Sequence, residues 1–299
     1  MSMSTSEATP ERILQRLDWH VIRRLDGLLQ GDYRTLFYGF GVDFADLREY
    51  QAEDDIRYID WNVTARMGSP FIKRFVEERE LTVLLAVDVS GSQRFGTQKH
   101  TKRAVAAEVA ALIAFSAVAN NDRVGLLAIS DEVERFIPPA KGAKHALRVL
   151  RDILFYEPRK PGTSLKTAFD FLNQALTRRA IVFFVSDWLD TGYEPAFRLA
   201  ARKHDLIAVR VTDPREQELH AVGLIEIEDA EAGRHLLIDT RRRSVREAYA
   251  AAARRRKEAF AALARSGRVD LIDVSTDGAH FDALVKFFRL RESRRRHGR

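Results

Sequence analysis

Leu81-Thr82-Val83-Leu84-Leu85-Ala86-Val87-Asp88-Val89-Ser90-Gly91-Ser92 is the stretch on which the fold turns. Its first seven residues are an almost unbroken apolar run, which reads as a strand buried on both faces, and the residues after it switch abruptly to oxygen-bearing side chains. A second run, Ile181-Val182-Phe183-Phe184-Val185, has the same texture and is followed by Ser186-Asp187. Outward from these two, the pattern alternates. It predicts a helix over 99–120, a strand over 123–130, a shorter edge-like strand over 133–137, helices over 143–155 and 165–176, a helix over 195–203 and a strand over 206–211. A polar insertion with a hairpin (223–228 with 235–238) leads to a long helix over 245–265, a strand over 269–274 and a helix over 280–290. Strands alternating with helices specify an α/β fold with a mostly parallel central sheet covered by helices on both faces. Ligands of such sheets bind beyond the carboxyl ends of the strands, where the strand order reverses.

Upstream, Ile13, Leu17, Val21 and Leu25 recur at helical spacing and predict a helix ending before Gly31. Gly39-Phe40-Gly41 reads as a turn, and short strands are expected near 56–64 and 70–78. The chain therefore divides into an N-terminal helix and β-hairpin elaboration (1–80), an α/β domain (81–290) with a polar insertion near 213–244, and a basic tail (291–299).

With 299 residues, 45% of them apolar, the chain can bury a sizeable core. The absence of cysteine excludes disulfides and thiolate chemistry. None of the eight histidines falls at i, i+4 or in an HExxH pattern, so no zinc site is expected. The most apolar helical stretch is interrupted by Glu108, and the first residues, with Glu7, Pro10 and Glu11, do not read as a signal peptide; a cytoplasmic location is expected. The net charge of +6 is uneven, because residues 241–299 hold 17 Lys/Arg against 7 Asp/Glu. That basic end could meet nucleic acid through Arg241–Arg243, Arg254–Lys257 and Arg294–Arg296, but no aromatics are interleaved for base stacking, and a solvated basic face is the favoured reading.

Asp88, Ser90 and Ser92 place a carboxylate and two hydroxyls within five residues at a strand's end. Asp187 follows the second core strand, and Thr163 lies in Pro161-Gly162-Thr163-Ser164 ahead of a helix. Any one of these loops could simply cap the next helix. Three at one sheet edge, all oxygen and without histidine or sulfur, suit a hard cation: Mg²⁺, or Mn²⁺ or Ca²⁺ in its place. Such a site keeps water or a borrowed ligand in some positions, so an acidic group of a partner could complete it.

In these residues the chain resembles the von Willebrand factor A fold, whose metal-ion-dependent adhesion site uses D-x-S-x-S, a threonine in a second loop and an aspartate in a third. The resemblance implies that Ser90, Ser92 and Thr163 bind the ion, that Asp88 and Asp187 act largely through water, and that a ligand carboxylate completes the shell. A narrower likeness runs through Arg48-Glu49-Tyr50, Asp54-Asp55-Ile56-Arg57, Ile59-Asp60-Trp61, Ala65-Arg66, Asp213-Pro214, Glu216 and Glu218-Leu219. These segments resemble the bacterial domain-of-unknown-function family 58, which implies partnership with a MoxR-type AAA+ ATPase in remodelling or maturing other proteins, and no catalytic activity. Glu53, Pro161 and Gln93 depart from that family's usual residues; Gln93 is expected to affect no proposed ligand. The charged N-terminal segment is read as a structural ion-pair network with Trp61 packed against the domain.

An enzyme alternative starts from Asp88 as a phosphoryl acceptor beside Mg²⁺, as in D-x-D phosphotransferases. Ser90 stands where the second carboxylate would be. There is also no G-x-S-x-G elbow and no G-x-x-x-x-G-K-[ST] loop. The expectation is a metal-dependent interaction module rather than an enzyme.

Overall fold

The computed structural model describes residues 47–51, 56, 59, 61–73, 80–97, 100–229, 234–278 and 280–297. In chain order the elements are β1 (Leu47–Glu49), α1 (Trp61–Met67), β2 (Phe71–Lys73), β3 (Thr82–Asp88), a 3₁₀ turn (Gly91–Arg94), α2 (Lys102–Ala119), β4 (Arg123–Ile129), β5 (Val133–Ala140), α3 (Ala143–Phe155), α4 (Leu165–Ala175), β6 (Ile181–Ser186), α5 (Glu194–Lys203), β7 (Asp205–Thr212), α6 (Pro214–Gln217), β8 (Leu224–Asp229), β9 (Arg234–Asp239), α7 (Arg243–Ser266), β10 (Asp270–Ser275) and α8 (His280–His297).

Six strands form one sheet in the order β10-β7-β6-β3-β4-β5, parallel throughout except for the β4–β5 pair. This is the mostly parallel α/β sheet that the alternation predicts. Both core strands are fully buried because each side of the sheet is covered. Val83, Leu85 and Val87 face one layer with α2, α3 and α8. Leu84 and Ala86 face the other with α4, α5 and α7. The period-2 alternation is present inside the apolar run but invisible in hydropathy, since both faces are apolar. Each fully buried Leu, Ile or Phe contributes about 1.5–3 kcal/mol, so the two layers supply most of the driving force.

The chain leaves β3 toward β4 and β5, then crosses back to β6, β7 and β10 on the other side. The order therefore reverses between β3 and β6, and the switch point lies beyond Asp88 and Ser186. Edge strand β5 carries Pro138 and Pro139, which cannot donate to a further strand.

Several expectations need correction. Residues 61–67 are helical where a strand near 56–64 is expected: the alternation of Ile59, Trp61 and Val63 suggests a strand, but the chain coils and turns back so that Phe71 N donates to Thr64 Oγ1 at 3.0 Å and β2 pairs antiparallel with β1. Trp61 is 67% exposed, so it does not pack against the domain. Residues 291–297 are no free tail but the last turns of α8, with Arg291 paired to Asp205 and Asp270, and Arg294 to Asp270. The helix expected within 13–29, the turn at Gly39–Gly41, and Glu53, Asp54, Asp55, Arg57 and Asp60 lie outside the described residues.

Candidate functional site

Backbone hydrogen bonds tie the three candidate loops together at the switch point. Val89 N donates to Ile129 O at 2.8 Å, and Gly91 N to Pro161 O at 2.8 Å, which fastens the Asp88 loop to the Thr163 loop. Ser164 N donates to Ser130 O, and Leu165 N to Asp190 Oδ2 at 2.8 Å, which fastens the Thr163 loop to β4 and to the Asp187 loop. Pro161, a departure from the resembled family, supplies through its carbonyl the bond that places this loop. Thr163 is half-buried within that frame.

Side chains at the centre form a continuous polar chain. Asp88 Oδ1 accepts from Ser90 N at 2.9 Å, and its Oδ2 accepts from Ser186 Oγ at 2.8 Å and from Gln93 Nε2 at 3.4 Å. Ser92 Oγ donates to Asp187 Oδ2 at 2.9 Å, so its single proton is committed and it must accept from Ser90 Oγ, 3.2 Å away. Lys102 Nζ, fully buried in the first turn of α2, donates to Asp187 Oδ2 at 2.8 Å and to Glu216 Oε1 at 2.6 Å. Gln93 is buried against Asp88 and Ser92, which corrects the expectation that it affects no proposed ligand.

Capping can be separated from a ligand role here. Ser164 Oγ caps α4 by accepting from Thr167 N at 3.3 Å, and Thr101 caps α2. Ser90, at the start of the 3₁₀ turn, makes no side-chain cap bond. Ser90 and Ser92 thus aim their hydroxyls at one another and at Asp187 instead of at a helix end.

Electrostatically the site carries more negative than positive charge. Burial, and then the nearby charge of Asp187, push the Asp88 carboxyl up to about 7. Burial alone would drive the Lys102 ammonium down, but Asp187 and Glu216 together hold it above the ordinary lysine value. Lys102 thus pairs with two carboxylates, Asp187 and Glu216, while Asp88 bonds to Ser90, Ser186 and Gln93 instead.

The two serine hydroxyls suit a small hard cation. Cis ligands of an octahedral Mg²⁺ at about 2.1 Å lie about 3 Å apart, and Ser90 Oγ and Ser92 Oγ are 3.2 Å apart. Among the described residues no three His, Cys, Asp or Glu side chains converge on a point, so a cation here would depend on hydroxyl oxygens.

Next to the site, Trp188 has φ +61°, in the left-handed region that favours glycine. Such a conformation costs about 1–3 kcal/mol and persists only when its surroundings impose it. Here they do: the indole N–H donates to Val209 O at 3.1 Å, and the ring stacks on Phe260 of α7 at 4.4 Å. The kink turns the chain directly after Asp187, whose Oδ1 accepts from Leu189 N at 3.3 Å.

Sequence reasoning missed Lys102, Gln93, Ser186 and the role of Asp213. Asp213 is buried and accepts from Thr97 N (2.9 Å), Thr97 Oγ1, Arg215 N (2.9 Å) and Thr276 Oγ1 (2.6 Å), while Glu216 Oε2 accepts from Asp213 N at 3.0 Å in a capping box. The Asp213-Pro214-x-Glu216 segment thereby joins β7, the loop after the 3₁₀ turn and the end of β10, and presents Glu216 to Lys102. An open groove of about 1100 Å³ leads from Ser92 and Asp187 past Glu216 to Arg254 and Lys257 on α7. No described helix is long and apolar enough to cross a membrane.

The family model described as "Protein of unknown function DUF58" matches residues 46–259. An uncharacterized protein of Mycobacterium tuberculosis is 34% identical over 279 residues, covering 92% of this chain and 87% of its own. Among solved structures, conserved hypothetical protein BatB from Bacteroides thetaiotaomicron superposes at a TM-score of 0.49 with 16% identity, over 71% of this chain and 99% of that one. The SpRpn10 VWA domain does so at 0.38 with 13% identity, over 69% and 94%.

Proposed function

We propose, from the premise that the chain belongs to the DUF58 family, that it is a protein-interaction module whose contact point is a divalent cation held at the β3–β6 switch point. Ser90, Ser92 and Thr163 would hold the ion, Mg²⁺ by the hardness of its donors, with Mn²⁺ or Ca²⁺ as substitutes. Asp88 and Asp187 orient those hydroxyls and balance the charge. When bound, the ion supplies a positive centre that a partner's carboxylate can complete. The observation that carries this reading is the pair of hydroxyls of Ser90 and Ser92, which cap no helix and lie beside the buried carboxylates of Asp88 and Asp187.

In the same reading the partner is a MoxR-type AAA+ ATPase, the chain acting as an adaptor that presents acidic client proteins to it. The family resemblance supports this, together with the absence of any nucleotide-binding loop from the sequence. A phosphotransferase is disfavoured because Asp88 is buried and Ser90 stands where the second carboxylate of such a site would be. Hydrolysis of a phosphate ester with Mg²⁺, abolished in Asp88→Asn, would reverse that judgement.

The test is a titration of chelator-stripped protein with Mn²⁺, followed by electron paramagnetic resonance, in wild type and Ser90→Ala/Ser92→Ala. One wild-type site lost in the folded double variant is the expected outcome. Equal binding by both would overturn the ligand assignment. For the partner, retention of a MoxR-type ATPase on immobilised protein should require Mg²⁺ and fail with the double variant; retention indifferent to both would separate the ATPase from this site.

A further inference from the structure

Lys102 occupies a position that ought to repel a cation. It lies in the first turn of α2, the positive end of the helix macrodipole, and it is completely buried. Two carboxylates hold it there: Asp187 Oδ2 at 2.8 Å and Glu216 Oε1 at 2.6 Å. Asp187 Oδ2 is also the atom that accepts from Ser92 Oγ, so the ammonium and the ligand hydroxyl meet on one oxygen.

We infer that Lys102 is a resident counter-ion that competes with the divalent metal for Asp187, and that metal binding hands its ammonium over to Glu216. This deepens the cation-site reading and rests on it. An ion held by Ser92 Oγ would lie close to an ammonium on Asp187 Oδ2, the oxygen to which Ser92 is bonded, and the two positive charges would repel strongly and compete for the one carboxylate. The two anchors of the lysine also differ in exposure. The Asp187 side chain is 5% exposed and accepts from Ser92 Oγ and Leu189 N besides the lysine; that of Glu216 is 24% exposed and leaves Oε1 to the lysine, its Oε2 being held by Asp213 N. A flexible four-carbon stem lets the ammonium shift while remaining paired. Without metal, Lys102 keeps the carboxylates neutralised and the loops in place. With metal, the change is passed to α6, because Glu216 Oε2 is bonded to Asp213 N and Tyr249 Oη donates to Arg215 O at 3.4 Å, which reaches α7 and the groove.

The test compares Mn²⁺ affinity of wild type, Lys102→Met, Glu216→Gln and the double variant by the same spectroscopic titration, alongside thermal melting with Mn²⁺ and with chelator. Removing a charged hydrogen bond of this kind should tighten Mn²⁺ binding by Lys102→Met by about ten- to a hundredfold. At a given Mn²⁺ concentration its melting temperature should rise more than that of wild type, as the tighter binding requires. Glu216→Gln should bind more weakly than wild type, and that loss should shrink in the Lys102→Met background, as expected if it acts through the lysine. Binding by Lys102→Met alone would support the inference in its strongest form, the lysine standing where other chains would hold metal. Equal affinity of wild type and Lys102→Met would overturn the competition and leave the metal site standing. No binding by any variant would overturn both. Should Lys102→Met fail to fold, Glu216→Gln decides, and unchanged or tighter binding there overturns the inference.

Discussion

At the end of α5, the ring of His204 sits in the core and accepts from Ala180 N through Nδ1 at 3.3 Å. Burial, and then the positive charges of Lys203 and Arg179, push its pKa down to about 4. The folded protein thus binds fewer protons at this position than the unfolded chain, whose histidine titrates near 6.5. The stabilisation is complete above that value and is lost as the pH falls toward 4, by at most about 3 kcal/mol. Urea unfolding at several pH values should show this loss in wild type, and His204→Asn, whose Oδ1 can replace Nδ1 as acceptor, should flatten it; an unchanged slope would contradict the assignment. At the same scale, Asp88, Ser90, Ser92 and Asp187 were legible as candidates because they follow strand ends within a few residues, whereas Thr163 stands in the turn ahead of α4. Lys102 was not, since a lysine ahead of a long apolar helix reads as solvated. The available hint was its place on the stripe continued by Val105, Ala106 and Val109, all buried. Glu216 was legible only as part of a motif, because its partner is 114 residues away.

Strand β4 shows what an element demands of one residue. A Cβ at Gly125 would lie 2.9 Å from Ile137 O and 2.9 Å from Pro139 N, both backbone, where the β4–β5 register shifts. Gly125→Ala should therefore cost about 1–3 kcal/mol by displacing the edge strand, measurable as a lowered denaturation midpoint. At the opposite edge, α8 is joined to the starts of β7 and β10 by the partly buried pairing of Arg291 with Asp205 and Asp270. Arg291→Ala should cost about 1–3 kcal/mol, whereas Arg243→Ala, whose pairing with Glu247 is exposed, should stay within about 0.5 kcal/mol. Equal effects would contradict the structural role given to the last turns of α8. The strong elements were legible because hydrophobic periodicity and length agree. The two that misled, residues 56–64 and 291–297, are a short segment decided by a turn and a charged segment whose arginines pair with acids far away in sequence, neither of which leaves a periodic trace.

Over the whole molecule, Asp213 ties the end of β7 to the loop after the 3₁₀ turn and to the end of β10, all around the site. Asp213→Ala removes the acceptor of four hydrogen bonds, three of them from Thr97 and Thr276 on other segments and one from Arg215 N in the following turn. It should cost at least about 3 kcal/mol and weaken Mn²⁺ binding as well, while Gly125→Ala should affect stability alone. Alternation of strands and helices points to the strand ends of a mostly parallel sheet, and so to the candidate residues, but not to the strand order, because it does not say on which side of β3 each later strand adds. The interlocking of three loops depends on pairs such as Gly91 with Pro161 and Leu165 with Asp190, which only the folded chain brings together. The central claim, a divalent cation bound among these loops, is tested most directly by amide resonances of isotope-labelled, chelator-stripped protein during substoichiometric addition of Mn²⁺. Paramagnetic broadening should begin at residues 88–93, 162–165 and 186–190 and be lost in Ser90→Ala/Ser92→Ala; broadening that begins elsewhere, or that is indifferent to that substitution, would contradict a cation bound there.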